Sequence, residues 1–331
     1  MKRKQHQKWK SAVSFLTILI LLPYIITVFV NGIHMDVFGM SGEPYVKVAV
    51  EDENKEENVK MIPWTEYFIG ILGKTMPASY EKEALKAQAV LLRTALYQQI
   101  SEKGEEEMIF REPYLTLDGL KQKWGAKKFE QYSEKLRTVQ AETEDQVLFY
   151  GETYAQVPFH QSSCGKTRNG KEVMEGGEYS YLQMKECPKD LEAPDEMQVY
   201  QFDYKEIKTR CQAFLEAAEG EKEAKETLEF EDFEIQEKDA AGYVSKFRIG
   251  NTVCTGEAFR DALLLASSAF SIQKEPGGLK ITTMGKGHGL GMSQWTANSM
   301  AKEGKDYKEI LAFFFEGTNI TSVEEILKEA E

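Results

Sequence analysis

Four glycines alternate with other residues in segment 285–291, and Met292, Ser293, Gln294 and Trp295 follow directly. In an extended chain successive side chains point to opposite faces, so a glycine at every second position leaves one face bare. Bare backbone is used where a ligand or another stretch of backbone must come close. The segment therefore predicts either a ligand contact or a bulged, buried strand.

The N-terminus is basic and then strongly apolar. No Asp, Glu, Lys or Arg occurs in residues 11–35. The apolar stretch is long enough to cross a bilayer, which takes about 20 residues, whereas a cleaved signal peptide has an apolar region of about 7–15 residues. We therefore expect a cytosolic tail at residues 1–10, an uncleaved single-pass anchor at residues 11–31, and an extracytoplasmic remainder.

Composition limits the function classes. The chain has 331 residues, 42% of them hydrophobic, which is enough for one large domain or for two lobes around a cleft. A net charge of −13 argues against nucleic acid as a partner, because phosphate binding needs a basic surface. All four cysteines follow the apolar segment, so disulfides are permitted but not required.

Hydrophobic periodicity indicates a mixed fold. Residues 45–50 alternate as a strand does, and this strand lies within a juxtamembrane connector expected at residues 32–59. A helix is expected over residues 80–100, with Ser79 as its N-cap and Leu85, Ala89, Leu92 and Leu96 as its core stripe.

A second helix is expected over residues 120–139 and a hairpin over residues 146–159. Helices and strands follow one another without a βαβ rhythm, which predicts the α+β class for one large domain at residues 60–331.

Glu83 is the first candidate for chemistry. It lies near the start of the expected helix and shares a face with Ala87, which leaves room for a ligand. A helix N-terminus favours the ionised carboxylate. A general acid must instead be neutral, so burial in an apolar cleft would have to dominate. The alternative is a surface glutamate that stabilises the helix start.

His160, Cys164 and Cys187 are a second candidate group. A His and a Cys four residues apart, with a further Cys beyond, could supply three ligands of a structural zinc ion. A Cys164–Cys187 disulfide and two reduced thiols are equally consistent with the sequence.

Four ordered segments resemble the stage II sporulation protein D (SpoIID) family. The first comprises residues 76–79, 83–89 and 93–94. The others are residues 159–167 with Tyr181 and Leu182, residues 256–260 with 269–272, and residues 287–294 with Met300, Ala301, Gly304, Gly317 and Thr318. Two departures are Thr75, where the family usually carries Glu before Met-Pro, and the pair Trp295-Thr296 in place of an aromatic-Gly pair.

The resemblance implies a peptidoglycan lytic transglycosylase that acts during engulfment in endospore formers. Its substrate would be glycan strands stripped of stem peptides by a SpoIIP-like amidase, with SpoIIM as a membrane partner. The chain would be anchored in the septal or engulfing membrane of the mother cell. No cofactor would be needed for catalysis, although zinc binding is associated with the family.

The resemblance also implies site residues. The catalytic glutamate of the family falls on Glu83, which would protonate the glycosidic oxygen between MurNAc and GlcNAc and then accept the O6 proton as the 1,6-anhydro ring closes. If the essential acid stood at the position of Thr75, the chain would be inactive. Candidates for the sugar-binding cleft are Gln88, Arg93, Ser162, Lys166, His288, Ser293 and Gln294.

Two other functions compete with this one. A zinc-dependent amidase or peptidase would use His160 and its cysteines as a catalytic metal site, with Glu83 as base. A non-catalytic module would bind glycan and activate a partner amidase. Thr75, at the position where the family usually carries Glu, favours this alternative. The products discriminate: 1,6-anhydro ends indicate a transglycosylase, free lactyl groups an amidase, and no products a binding module.

Overall fold

The computed structural model of the chain describes residues 44–51, 56–104, 108–174, 176–219 and 227–323. The chain divides into a first unit, residues 1–67 with 100–112, and a second unit, residues 68–99 with 113–331. The expected tail and anchor, residues 1–31, lie outside the described residues. Across the ranges that are described, no helix is both long and apolar enough to cross a bilayer.

Helices and short sheets alternate irregularly along the chain, which confirms the predicted α+β class. In chain order the helices are α1 (Trp64–Thr75), α2 (Lys82–Lys103), α3 (Leu117–Trp124), α4 (Ala126–Glu142), α5 (Gly170–Val173), α6 (Tyr204–Arg210), α7 (Gln212–Glu219), α8 (Gly256–Leu263), α9 (Gln294–Lys302) and α10 (Tyr307–Phe314).

The strands are β1 (Tyr45–Glu51), β2 (Glu57–Pro63), β3 (Gln146–Tyr150), β4 (Thr153–Tyr154), β5 (Phe159–His160), β6 (Met197–Asp203), β7 (Phe233–Lys238), β8 (Val244–Ile249), β9 (Thr252–Cys254), β10 (Phe270–Glu275), β11 (Gly278–Met284), β12 (Met292–Ser293) and β13 (Asn319–Ser322). Two 3-10 helices cover Pro188–Glu192 and Phe230–Asp232.

In the first unit, β1 and β2 form an antiparallel hairpin in which Tyr45 pairs with Pro63 and Glu51 with Glu57. The alternation predicted for β1 is confirmed, because Val46 and Val48 are buried. The amide of Ala49 donates to the carbonyl of Phe110, so the segment around Phe110 continues the backbone pairing of the hairpin.

Helix α2 confirms the predicted stripe, since Leu85, Ala89, Leu92 and Leu96 are all buried. The expected N-cap is wrong: the helix begins at Lys82, and Ser79 is exposed. The amide of Glu81 donates instead to Oδ1 of Asn298. A side chain distant in sequence therefore supplies an acceptor that local capping would have supplied.

The single helix expected at residues 120–139 is two helices, α3 and α4, separated by Gly125. Gly125 has a φ of 75° and its amide donates to the carbonyl of Lys121, so it ends α3 in a conformation that glycine tolerates best. The break turns Trp124 back onto Tyr132, with ring centroids 5.5 Å apart.

The strands of the described residues form five small sheets, with strand orders β1-β2, β10-β11-β6, β12-β5, β13-β3-β4 and β7-β8-β9. Phe247, Phe259 and Phe270 form an aromatic core, with Phe247 4.4 Å from the Phe259 ring and 5.4 Å from the Phe270 ring. The pair β12-β5 is parallel and sets Met292 beside Phe159 and Ser293 beside His160. This pairing brings together the segment around His160 and the segment that follows the glycine run, which are more than a hundred residues apart in the sequence.

Candidate functional site

A groove opens in the second unit where α1 ends. Its cavity volume is about 420 Å³. The turn after α1, the junction of α3 and α4, the residue after β5 and the first residue of α9 all contribute to the lining. The lining residues are Lys74, Thr75, Met76, Pro77, Ala78, Ser79, Tyr80, Lys123, Trp124, Lys128, Tyr132, Gln161 and Gln294.

Aromatic rings and amide groups give this groove the chemistry of a saccharide site. Trp124 is held in place because α1 has a glycine beneath it: a Cβ at Gly73 would lie 2.9 Å from the indole ring. Tyr80 packs edge-on against Trp295, with centroids 6.2 Å apart. Flat rings can stack on the apolar faces of sugars, and amides can bond their hydroxyls.

The groove is built where the first and last resembling segments meet. The carboxamide nitrogen of Gln294 donates to the backbone oxygen of Thr75 and to Oε1 of Gln88, both at 3.0 Å. Gln88 and Gln294 are both buried. Gln88 therefore braces the groove from within the protein, while Gln294 also contributes to the lining.

Thr75 lies in the groove and Glu83 does not. The Thr75 hydroxyl donates to the carbonyl of Ile71, within its own helix. Among the described residues that line the groove, none is Asp or Glu. The position where the family usually carries an acid is therefore at the groove, and in this chain it holds no carboxyl group.

The Glu83 side chain is about one third exposed and is held from two sides. Its Oε1 is 2.7 Å from Nζ of Lys86, and its Oε2 accepts the amide of Tyr307 at 3.1 Å. The exposed fraction of the side chain is 30%. An ammonium group and a backbone N–H donor therefore occupy its two carboxylate oxygens. Glu83 therefore does not lie in the apolar cleft that a general acid at this position would need.

Arg93, expected to bind sugar, is instead buried beneath helix α2. Its guanidinium donates to the carbonyls of Thr143 and Gln146 and lies 4.8 Å from the centre of the Phe68 ring. Burial lowers the pKa of Arg93 to about 10. The Arg93 side chain therefore stabilises the packing of α2 against the end of α4 and the start of β3.

Ser162 and Ser293 are buried as well, and each donates to a buried carboxyl group. Ser162 Oγ lies 2.6 Å from Oε2 of Glu196, and Ser293 Oγ lies 2.7 Å from Oδ1 of Asp190. Further donors to Asp190 are Thr296 Oγ1 and both the amide and hydroxyl of Ser163. We call this set, Asp190 and Glu196 with their serine and threonine donors, the buried carboxylate network.

Glu196 is a residue that sequence reasoning missed. It is 6% exposed, and its Oε1 has no hydrogen-bond partner among the described residues. Burial, with a smaller contribution from the charge of Asp190, raises the pKa of Glu196 to about 7. The only sequence signal was an acidic residue before a strand. Because it faces the protein interior and does not line the groove, we assign it to the scaffold.

The remaining two sugar-binding candidates also lie away from the groove lining. Lys166 pairs with Glu186 at 2.9 Å in a half-exposed ion pair. The half-buried His288 accepts the amide of Leu290 at Nδ1, and burial lowers its pKa. Of the seven residues expected to bind sugar, Gln294 alone contributes to the lining.

The glycine segment is a series of kinks and not an extended strand. Gly285, Gly287, Gly289 and Gly291 all have positive φ. A Cβ at Gly291 would lie 2.0 Å from the carbonyl oxygen of Pro158. The close approach that the pattern predicted is real, but another segment of the same chain occupies the bare face.

His160, Cys164 and Cys187 are not assembled as metal ligands. Within the described ranges, no group of three or more His, Cys, Asp or Glu side chains could hold a metal ion. His160 Nδ1 donates to the carbonyl of Leu290, the Cys164 thiol donates to the carbonyl of Ala241, and both cysteines are free.

Burial lowers the pKa of His160 to about 3 and raises that of Cys187 to about 12, which keeps the imidazole neutral and the thiol protonated. A structural zinc ion stays a prediction that metal analysis of the purified chain would test.

Comparison with known proteins identifies similar sporulation proteins. Residues 52–150 match the family SpoIID, stage II sporulation protein. Stage II sporulation protein D of Bacillus subtilis (strain 168) is 29% identical over 290 residues, which is 82% of this chain and 78% of that protein. Stage II sporulation protein D of Bacillus amyloliquefaciens is 27% identical over 82% of this chain and 77% of its own.

A shorter match is to the amidase enhancer of Bacillus subtilis (strain 168). It is 38% identical over 61 residues, 18% of this chain and 9% of that protein.

Proposed function

Because 82% of the chain aligns with stage II sporulation protein D of two Bacillus species, we propose that it acts in sporulation on the cell wall, where the groove binds a peptidoglycan glycan strand. The observation that carries this proposal is the groove lining, in which Trp124, Tyr132 and Tyr80 accompany Gln161 and Gln294. Rings that stack on sugars, with amides beside them, suit a polymer of N-acetylated hexoses.

The groove geometry favours binding without cleavage. Cleavage of a glycosidic bond needs a proton donor within hydrogen-bond reach of the leaving oxygen. The lining contains Thr75 and no carboxyl group, and Glu83 is engaged with Lys86 and the Tyr307 amide. We therefore infer a glycan-binding protein that assists a partner cell-wall amidase, and the partial match to an amidase enhancer supports this direction.

Lytic transglycosylation is the second candidate reaction, favoured by one observation. Glu83 lies in the resembling segment of α2, and its carboxylate is oriented by the amide of Tyr307 from the C-terminal region. One carboxylate suffices for this chemistry, because the nucleophile is the O6 hydroxyl of the substrate. Holding O6 over the anomeric carbon would replace a bimolecular attack by an oriented intramolecular one. Glu83 would act first as acid and then as base.

Product analysis of peptide-free glycan strands by mass spectrometry tests both candidates. We would compare the native chain with Glu83→Gln, Thr75→Glu and the control Glu81→Gln, which removes an exposed carboxylate two residues before Glu83. If the chain is a binding protein, the native form and Glu83→Gln bind strands equally and release nothing. Thr75→Glu, which adds a carboxyl group to the groove, should then release 1,6-anhydro ends.

Two results would overturn parts of this proposal. Anhydro products from the native chain that disappear in Glu83→Gln but persist in Glu81→Gln would establish the transglycosylase. Absence of glycan binding by every form would remove the groove as a glycan site.

The proposal extends to location and partners. A membrane anchor at residues 11–31 would place the groove on the extracytoplasmic side of the membrane, next to the cell wall. The partners would be a SpoIIP-like amidase and SpoIIM in the engulfing membrane. Co-purification of the amidase with the native chain, and its loss when the groove is altered, would test whether the two act on one strand.

A further inference from the structure

The groove is basic although the chain is acidic. Asp and Glu number 54 against 41 Lys and Arg. Yet the groove lining contains Lys74, Lys123 and Lys128 and no acidic side chain. In the part of the chain that the structure describes, none of these three lysines forms an ion pair with an acid. A surface with this charge contrast attracts an anionic ligand.

The three ammonium groups are arranged around the aromatic part of the groove. Lys74 is in the last turn of α1. Lys123 donates to the carbonyl oxygen of Gly73 at 2.9 Å, and Lys128 lies 5.9 Å from the centre of the Tyr132 ring. Burial and the positive charge of Lys74 lower the pKa of Lys123, so two like charges interact here. A bound anion would relieve that repulsion.

We propose that Lys74 and Lys128, with Lys123, bind a carboxylate carried by the saccharide, namely the lactyl carboxylate of N-acetylmuramic acid. This inference rests on the proposed binding of glycan in the same groove. The carboxylate exists as a charged group only where the stem peptide has been removed, because in an intact strand it forms an amide bond with that peptide. The lysines would therefore make the groove selective for peptide-free strands.

Neutral and charged forms of one strand provide the test. The full chain would be titrated calorimetrically with peptide-free strands, with the same strands after conversion of the lactyl carboxyls to methylamides, and with N-acetylglucosamine oligomers. We expect about tenfold tighter binding of the carboxylate strands at low salt, the scale of two or three partly screened ion pairs. The preference should shrink as salt is raised.

Single substitutions assign the preference to residues. Lys74→Gln and Lys128→Gln should each weaken binding of carboxylate strands about threefold and leave binding of methylamide strands unchanged. The double variant should remove the preference. Lys123 is left intact because it also bonds the end of α1. Lys127→Gln, an exposed neighbour outside the groove lining, is the matched control and should bind as the native chain does.

The outcomes distinguish a failure of the lysine assignment from a failure of the proposed function. Equal affinity of the native chain for charged and methylamide strands would overturn the lysine assignment while glycan binding stands. So would loss of the preference in Lys127→Gln. Failure to bind any of the three saccharides would instead remove the proposed function. Tighter binding of a phosphate polymer such as teichoic acid than of carboxylate strands would also count against the assignment.

Discussion

Two regions that both include residues directly after strand β5 differ in how their polar side chains are used. The buried carboxylate network pairs its hydroxyl donors with Asp190 and Glu196, away from solvent. The groove instead presents Gln161, Tyr132 and the lysines to solvent. The hydrogen bonds of the first region hold distant segments together, whereas the polar groups of the second region are accessible at the surface.

This difference teaches which sequence signals report on function. Segments that drew attention by their unusual composition, around Ser162 and Gly287, turn out to be scaffold. Buried polar groups must be satisfied within the protein, so they impose strict residue choices. Groove residues such as Lys128 and Trp124 belong to an ordinary amphipathic helix pair, so no local sequence signal distinguishes them.

The largest effect should come from filling the bare backbone of the scaffold. Gly291→Ala places a methyl group 2.0 Å from the Pro158 carbonyl at a φ of 67°, and should lower the free energy of unfolding by about 4 kcal/mol or more. The control Gly304→Ala has a similar φ, 92°, but no atom within 4 Å, so it should cost only about 1 kcal/mol. Equal costs in denaturant titrations would show that the close contact does not matter.

Removing the centre of the buried network should be nearly as damaging. Asp190→Ala leaves Ser163, Ser293 and Thr296 without their acceptor, and should destabilise the protein by about 3–4 kcal/mol. Asp261→Ala, at an exposed residue of α8, should change stability by less than about 0.5 kcal/mol. Thermal unfolding of both variants checks this, and a tolerated Asp190→Ala would break the distinction between scaffold and surface.

Glu196 should make stability depend on pH. Its pKa is about 7 in the folded protein, above the ordinary value of 4.5, so the unfolded chain loses this proton first. Stability contributed by the group is therefore full below about pH 4.5 and is lost as pH rises through 7. Relative to the native chain, Glu196→Gln should gain on the order of 2–3 kcal/mol between pH 4 and pH 8. A constant difference across that range in urea titrations would contradict the assignment.

The smallest effects should separate two adjacent residues. Ser162→Ala removes the donor to Glu196 and should cost about 1 kcal/mol of stability without changing glycan affinity. Gln161→Ala, on the exposed side, should change stability by less than about 0.5 kcal/mol but weaken glycan binding severalfold. Parallel unfolding and calorimetric titrations decide it, and identical behaviour of the two variants would erase the contrast between the regions.

Much of the fold was predictable because its signals are local. The alternation in β1 and the stripe of α2 follow directly from strand and helix geometry. The two errors have different causes, one local and one distant in sequence. Gly125 ends α3 in the middle of an amphipathic pattern that continues on both sides of it. At the start of α2 the amide of Glu81 donates to Asn298, which is far along the chain, and Ser79 is not the N-cap.

The site was less predictable than the fold. Resemblance identified the segments that converge, and Gln294 does reach the groove. It could not say which residues within those segments face inward. Arg93, Ser162 and Ser293 have the polar groups of a binding site, yet each is buried against partners from elsewhere in the chain.

By itself the sequence determined the α+β class, the resemblance to stage II sporulation protein D and the segments that carry it, because periodicity and ordered motifs are local properties of the chain. Only the tertiary structure decided that Thr75 lies at the groove while Glu83 does not, and that three lysines from α1, α3 and α4 line the same groove. The physical reason is that burial and charge environment depend on which distant backbones pack together. That packing is a property of the folded whole and not of any window of residues.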